Sequence, residues 1–486
     1  MLTYPIDSGT PRPLYGFLYS RIKDDIISGK LRGGQKLPSK RTFAANLGVS
    51  VITVETAYSQ LAAEGYITAE ARRGFFVAEI RNPEKAHFLS PLVIAAKKSG
   101  LAEERETDKN PMQKTDSPQK AGESGGKYEF DLAGNRTNPA NFPFSVWAKL
   151  MRSVLTERRT ELMANSPPGG SAGLRGALSR HLLDFRGINV PPERIFVGAG
   201  TEYLYGLIIQ LLGFERRYGS EDPGYSKTAQ IYSAYGLEHD FISMDENGVL
   251  IRELEQKLTD IIHISPSHHF PTGTVMPASR RYELLEWAGR APTRYIIEDD
   301  YDSEFRFNGR PIPALQSMDP EGHVIYMNTF TKSLSSTVRI SYMVLPPQLA
   351  EKFREKLGFY SCTVPTFEQL TLEQFISGGF FEKHINRMRR LYQFQRDEML
   401  RVFAQAGEKI TISEENSGLH FIMRINSGIT EKEFSERLER NGIRMIPLSA
   451  YFRNSTGKTS DKFVVNYSSL PRNSAAAAAE AVISCL

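Results

Sequence analysis

Cysteine is nearly absent. Only Cys362 and Cys485 occur among 486 residues, which excludes a disulfide framework. The opening Met-Leu-Thr-Tyr-Pro-Ile-Asp has no basic head followed by an apolar run, so it lacks the form of a secretory leader. Long hydrophobic runs are missing as well. The longest, around Tyr203 to Phe214, is too short for a membrane span and contains Gly206 and Gln210, so it reads as a buried helix. These absences lead to the expectation of a soluble, cytoplasmic protein. Charge is close to balance, with 60 Lys+Arg against 56 Asp+Glu, and the net +4 identifies no partner by itself.

One stretch lacks nearly everything a core needs. Between Lys97 and Lys127 there is no aromatic residue and hardly an aliphatic one, so it cannot bury a core. With 40% hydrophobic residues in so long a chain, more than one domain is expected. The boundaries read as a small module over 11–80, a flexible linker over 81–127 and a large α/β domain over 128–486.

In the small module, Leu14, Phe17, Leu18, Ile22, Ile26 and Ile27 form a helical stripe ended by Ser28-Gly29. Ser39 is placed to cap a short helix carrying Phe43, Ala44 and Leu47, which Gly48 stops. Ser50 is placed to cap a third, with Val54, Ala57, Tyr58 and Leu61 on its buried face and Gly65 at its end. The two helices joined by Leu47-Gly-Val-Ser50 have helix-turn-helix spacing. Tyr66-Ile-Thr68 and Phe75-Phe-Val77 then flank the turn Ala71-Arg72-Arg73-Gly74, completing a winged helix. Such a module places Ser50 and Thr53 to meet phosphates or base edges in a major groove, and Arg72 and Arg73 beside Gly74 to reach phosphates or the minor groove.

The stretch Leu37-Pro-Ser39-Lys-Arg41, Leu47-Gly-Val-Ser50, Thr53, Ala57-Tyr58, Leu61 and Glu64-Gly-Tyr66-Ile67 resembles the GntR family of bacterial regulators. The resemblance implies that Arg41 contacts operator DNA, together with residues from Ser39, at the start of the recognition helix and in the wing. Val51 and Ile52 stand where relatives often carry basic or polar residues, so base preference does not transfer.

From about Tyr128 onward, β-like runs alternate with helical patterns, at Arg194–Val197, Ile261–Ile264, Tyr295–Glu298, Val324–Met327 and Arg339–Leu345. Alternation of this kind predicts a mainly parallel sheet with helices on both faces, and ligands bound at the carboxyl ends of its strands. Polar clusters fall at those ends, and together they suit pyridoxal phosphate. Lys332, once desolvated and partly deprotonated, has the chemistry to capture an aldehyde. Asp299 suits the ring nitrogen and Tyr301 the ring oxygen. Gly200, Thr201 and Glu202 open a helix whose free N–H groups accept a phosphate, with Thr329 and Arg339 as further contacts and Tyr225 as a platform for the ring.

Gly198-Ala-Gly-Thr201, Glu221-Asp-Pro-Gly-Tyr225, Ser265-Pro-Ser-His-His-Phe-Pro-Thr-Gly273, Ile297-Glu-Asp-Asp-Tyr-Asp-Ser-Glu304 and Thr329-Phe-Thr-Lys332 with Arg339-Ile-Ser-Tyr342 resemble fold-type I aminotransferases. The whole chain is similar to MocR-type regulators, a winged helix joined by a long linker to an aminotransferase-like domain with a smaller C-terminal subdomain. That implies a PLP-dependent transcription factor, a head-to-tail homodimer whose second domain senses PLP, an amine or an amino acid. The alternative is a working aminotransferase with an accessory DNA-binding domain. Against it, the arginine that grips a substrate carboxylate in transaminases aligns with Val464, with Lys462 and Arg444 as the nearest substitutes. Phe270 replaces the asparagine of the usual Asn-Pro-Thr-Gly, and Glu202 brings a carboxylate close to the phosphate. His268 and His269, with no carboxylate beside them in sequence, predict a structural or cofactor-edge role and no metal.

Overall fold

The computed structural model describes residues 4, 13–80, 128–134, 137–307, 312–415, 418–454 and 461–486; the linker expected over 81–127 lies outside them. The winged helix forms as its punctuation dictates. Helix α1 (Leu14–Ile27) buries Leu18, Ile22 and Ile26, the inner stripe of its apolar spacing. Ser39 caps α2 (Lys40–Leu47) by accepting a hydrogen bond from the Thr42 amide, and Ser50 caps α3 (Val51–Ala63) through the Thr53 amide. Between them Gly48 adopts φ 66°, a left-handed conformation that lets the chain reverse within one turn. Strands β1 (Ile67–Glu70) and β2 (Gly74–Val77) pair antiparallel as the wing, with Arg72 at φ 63° and Gly74 at φ 108° in its turn.

The large domain opens with β3 (Phe130–Asp131). Its main sheet contains β4 (Ile195–Gly198), β5 (Tyr218–Asp222), β6 (His239–Asp245), β7 (Gly248–Val249), β8 (Ile261–Ile264), β9 (Tyr295–Asp299), β10 (Val324–Thr329) and β11 (Ser341–Val344), ordered β4-β11-β10-β9-β8-β5-β6-β7. The centre is parallel, from β10 through β9, β8 and β5 to β6. β11 runs antiparallel to both β10 and β4, and the short β7 antiparallel to β6. The mainly parallel sheet expected from sequence is therefore present, with β11 inverted inside it. This inversion matters for the site, because the β10–β11 reversal carries both Lys332 and Arg339.

The C-terminal subdomain holds β12 (Ile410–Ser413), β13 (His420–Ile425), β14 (Ile443–Arg444), β15 (Ile446–Pro447) and β16 (Lys462–Asn466). Four of these form a sheet ordered β12-β13-β16-β15, while β14 pairs in parallel with β3. Along β16, Phe463 and Val465 enter the main core, whereas Val464 faces the other way to pack with Ile422, Leu448 and Tyr451. The winged helix does not stand apart. Its core is continuous with Ala278 and Tyr282 of the helix Ala278–Gly289 in the large domain.

Candidate functional site

The strand ends at one edge of the large sheet build the first part of the site. Cross-strand register sets Gly198 opposite Ser341 and Ser341 opposite Thr329, so the ends of β4, β11 and β10 lie side by side. Ser341 donates to Thr329 Oγ1 at 2.9 Å, and the Thr331 amide donates to the same oxygen at 3.2 Å. Those bonds fix the turn before Lys332, which is 5% exposed. Burial lowers the Lys332 ammonium to about 7, against the pull of Asp302. Near neutrality, much of this lysine is an unprotonated amine and a competent nucleophile.

Asp299, at the end of β9, accepts from Tyr205 at 2.8 Å and lies 3.6 Å from His263 Nε2 through its Oδ2 atom. Its Oδ1 is buried with no hydrogen-bond partner. A buried carboxylate oxygen left open is costly unless a group still to bind completes it, and a protonated ring nitrogen has the required donor. Tyr301 is held as a phenol, because burial and then Asp302 and Asp299 push its hydroxyl up.

The anion end is built at the helix Thr201–Leu212. Gly200 precedes it at φ 91° with no side-chain cap, leaving the first amides available, and Thr201 is half-buried at the first helical position. A Cβ on Gly200 would lie 2.5 Å from Arg339 Nη2, so only glycine admits the guanidinium this close. Arg339 itself has φ 53°, a conformation that non-glycine residues rarely take. Glu202 turns its carboxylate to Lys227 and, at 3.6 Å, to Arg339. Open backbone amides, an arginine and the glycine cradle fit a phosphate, as Lys332 fits an aldehyde and Asp299 a ring nitrogen. Tyr225 is 40% exposed and its ring meets Phe270 edge-on at 6.2 Å.

The histidines gain partners that the sequence did not show. Each finds a carboxylate partner that sequence proximity hides. His268 Nδ1 lies 2.9 Å from Asp302 Oδ2, with the Tyr301 hydroxyl 3.2 Å from the same nitrogen. His269 Nε2 lies 3.3 Å from Glu221. The second pair is not ionic: burial lowers His269 to about 3 and raises Glu221 to about 8, so both are neutral at pH 7. His268, Asp302 and His420 each bring one donor atom within 4.8 Å of the others, and Asp302 also faces Lys332. Asp302, Tyr205 and His263 escaped the sequence reading. Asp302 sits inside the Ile297–Glu304 motif, whereas Tyr205 looks like any buried residue of an apolar helix.

Around the position expected to hold a carboxylate-gripping arginine, the packing is apolar. Val464 is 3% exposed and packs with Ile422 and Leu448, and Phe270 joins this cluster to His420 at 5.4 Å between rings. Arg444 is turned to Asp131 at 3.4 Å, and Lys462 lies exposed at the outer start of β16. Neither candidate substitute belongs to the apolar cluster.

On the winged helix, Arg41 and Arg72 are exposed. Ser39 and Ser50 are not simple contact residues. Besides capping, the Ser39 hydroxyl shares a 2.7 Å hydrogen bond with Thr42, and the Ser50 hydroxyl one of 2.8 Å with half-buried Thr53. Arg73 is paired with Glu70 of its own wing and stacks on Phe76 at 5.3 Å, so Arg72 is the more available of the two.

Residues 14–77 match the family model described as bacterial regulatory proteins, gntR family, and residues 131–464 match aminotransferase class I and II. The chain is 37% identical over 442 residues to YdeL, an HTH-type transcriptional regulator of Bacillus subtilis (strain 168), covering 91% of this chain and 90% of that one. It is 30% identical to a protein of Rhizobium meliloti described as a probable rhizopine catabolism regulatory protein, MocR, over 93% of this chain and 89% of the relative. In fold, the crystal structure of a Pyrococcus horikoshii kynurenine aminotransferase in complex with PMP superposes with a TM-score of 0.64 at 24% identity, covering 74% of this chain and 91% of that one.

Proposed function

The chain belongs to the MocR-type regulators, GntR-family winged helices joined to an aminotransferase class I and II domain, and from that membership we propose how its two halves work together. It is a DNA-binding transcriptional regulator whose second domain binds pyridoxal phosphate. The proposal is that this domain senses PLP itself or an amino compound competing with Lys332 for it. The observation that carries this reading is a mismatch: groups that fit PLP are present, while Val464, at the position where a carboxylate-gripping arginine is expected, is buried in an apolar cluster. A transaminase of amino acids needs a cation for the substrate carboxylate; a sensor of PLP or of an amine does not.

When bound, PLP supplies an aldehyde and an electron-withdrawing ring. Lys332, whose ammonium burial lowers to about 7, would be the anchoring nucleophile. Asp299, oriented by Tyr205, holds a proton at the ring nitrogen through its open Oδ1. Tyr301 donates to the ring oxygen and is positioned by His268. The amides at Gly200, Thr201 and Glu202, with Thr329 and Arg339, would hold the phosphate, and Tyr225 would be the platform for the ring. On the DNA side, Arg41 and Arg72 contact phosphates, with Ser39, Ser50 and Thr53 at the helix starts and Arg73 and Gly74 in the wing.

The proposal includes a head-to-tail homodimer. A groove of about 440 Å³ lined by Pro139, Phe142, Trp147, Leu334 and Val338, with Phe144 66% exposed beside it, supplies an apolar surface of the kind a second copy covers. No helix among the described residues is long and apolar enough to cross a membrane. With its DNA target, this supports placement in the cytoplasm. The test is operator binding measured with and without PLP. Lys332→Ala is expected to bind the operator as wild type does and to lose both the visible absorbance of bound PLP and the response to it. A variant that still responds removes Lys332 from the sensor, and sustained keto-acid release from amino acids would favour the transaminase.

A further inference from the structure

Helix α3, the second helix of the helix-turn-helix, opens with two aliphatic side chains turned to solvent. Val54, Ala57, Tyr58 and Leu61 form its fully buried inner face. Two residues before Val54, and so on the opposite side of the helix, Ile52 is 73% exposed, and Val51 beside it is 42% exposed. The helix itself gains nothing from them there, since β-branched residues are poorer helix formers than the lysine, arginine or glutamine that suit a solvated face. The polar groups of the same two turns are already committed. Ser50 Oγ accepts the Thr53 amide at 3.1 Å and shares a hydrogen bond of 2.8 Å with the Thr53 hydroxyl. Thr56, one turn beyond Ile52, donates its hydroxyl to the Ile52 carbonyl at 2.8 Å. Glu55 holds an ion pair with Lys40 of α2 at 2.5 Å.

Single exposed aliphatic residues are common on protein surfaces and need no partner. Position gives this pair its meaning. In a helix-turn-helix, the residues that open the second helix enter the major groove and meet base edges. Every base shows hydrogen-bonding groups there, but only thymine shows an apolar one, its 5-methyl. An aliphatic side chain pressed on a guanine, cytosine or adenine edge would take water from polar atoms and offer them no partner. Against thymine it covers a methyl group that water solvates poorly.

We propose that Ile52, with Val51 beside it, selects operators by the 5-methyl groups of thymine. The selection rests on the winged helix binding operator DNA and names the chemistry of its base choice. Exposed Arg41, on the helix before α3, and exposed Arg72, in the wing after it, hold phosphates whatever the sequence between them. Ile52 then distinguishes one base from the rest. A basic side chain at the same place would suit guanine, whose O6 and N7 accept from it, so the aliphatic pair changes which base is read.

The experiment uses the full chain and the duplexes that it retains from a random-sequence DNA library. In the tightest-bound duplex each thymidine is replaced in turn by deoxyuridine, which removes the 5-methyl group and leaves base pairing intact. At one or more positions this is expected to weaken wild-type binding about fourfold, the equivalent of one methyl group no longer buried. Because the methyl group also affects the shape of the DNA itself, the deciding comparison is with Ile52→Ala. That variant should bind the thymine duplex as weakly as the wild type binds the uracil duplex, and should be indifferent to the replacement. Its slope of log affinity against log salt should match the wild type, since no charge is removed. Ile52→Asn, which keeps a side chain of similar length without its apolar end, should lose the discrimination as well, and serves if Ile52→Ala fails to fold. A wild type that ignores every change from thymine to uracil, or a discrimination that survives in either variant, overturns the selection. DNA binding has its own readout: a chain that retains no duplex sinks the operator-binding reading along with this one. Salt-dependent retention with no response to uracil sinks thymine selection alone.

Discussion

The winged helix and the cofactor domain keep their chemistry in opposite places. In the first, Arg41 and Arg72 are exposed, and the fold beneath them is an ordinary apolar core with two serine caps. In the second, Lys332, Asp300, Asp302, Glu304, Glu298 and Arg186 are all buried, and the fold depends on their pairing. A surface that reads a polyanion can be altered without cost to folding, whereas a site that holds charged groups away from water cannot. The comparison teaches that ligand binding and stability are separable in the half that reads DNA and joined in the half that holds the cofactor.

Arg186→Ala should break that contrast most severely if it is wrong. Removing the partner of buried Asp300 is expected to cost about 3–5 kcal/mol, read as a lowered denaturant midpoint of the large domain; a loss below about 1 kcal/mol would mean that the pair is solvated. Next in size is pH. Because burial lowers Lys332 to about 7, its amine fraction, and with it the rate of PLP capture, should fall about tenfold per pH unit below that value. A capture rate flat between pH 5 and pH 8, as the order-of-magnitude window around this titration, would show the lysine to be neutral throughout.

On the exposed side, Arg41→Ala with Arg72→Ala should leave the melting temperature nearly unchanged. Operator binding should weaken, and the slope of log affinity against log salt should fall by roughly 2. An unaltered slope would take both residues off the phosphates. The smallest effect is expected at Ser50→Ala, where loss of the cap costs about 1 kcal/mol of winged-helix stability. An operator defect much larger than this loss explains would add a direct DNA contact to the capping role of Ser50.

The winged helix was legible almost in full because its signals are local. Ser39, Gly48, Ser50 and Gly65 begin and end helices at the positions where the structure begins and ends them. The large sheet was legible where strands are apolar runs. It was not at β5, where Tyr218-Gly-Ser-Glu-Asp222 has no such run and is buried by its parallel neighbours on both sides. Nor could alternation reveal that β11 is inverted, since a strand's direction is set by what it pairs with. At the site, Lys332 and Asp299 stood out by motif. The His268–Asp302 pair did not, because 34 residues separate the two and only the meeting of β8 and β9 with their following loops brings them together.

Glu202 has a consequence for how the site is filled. Its carboxylate lies 3.6 Å from Arg339, at the end of the site where a phosphate belongs. The protein thus carries its own substitute anion, shared between Lys227 and Arg339, and a phosphate bound as proposed would not meet a bare cation but would trade places with a tethered competitor. What the ligand gains is only the difference between two ionic contacts. Under the proposed sensor role, such a competitor would suit a site that must empty when PLP runs short.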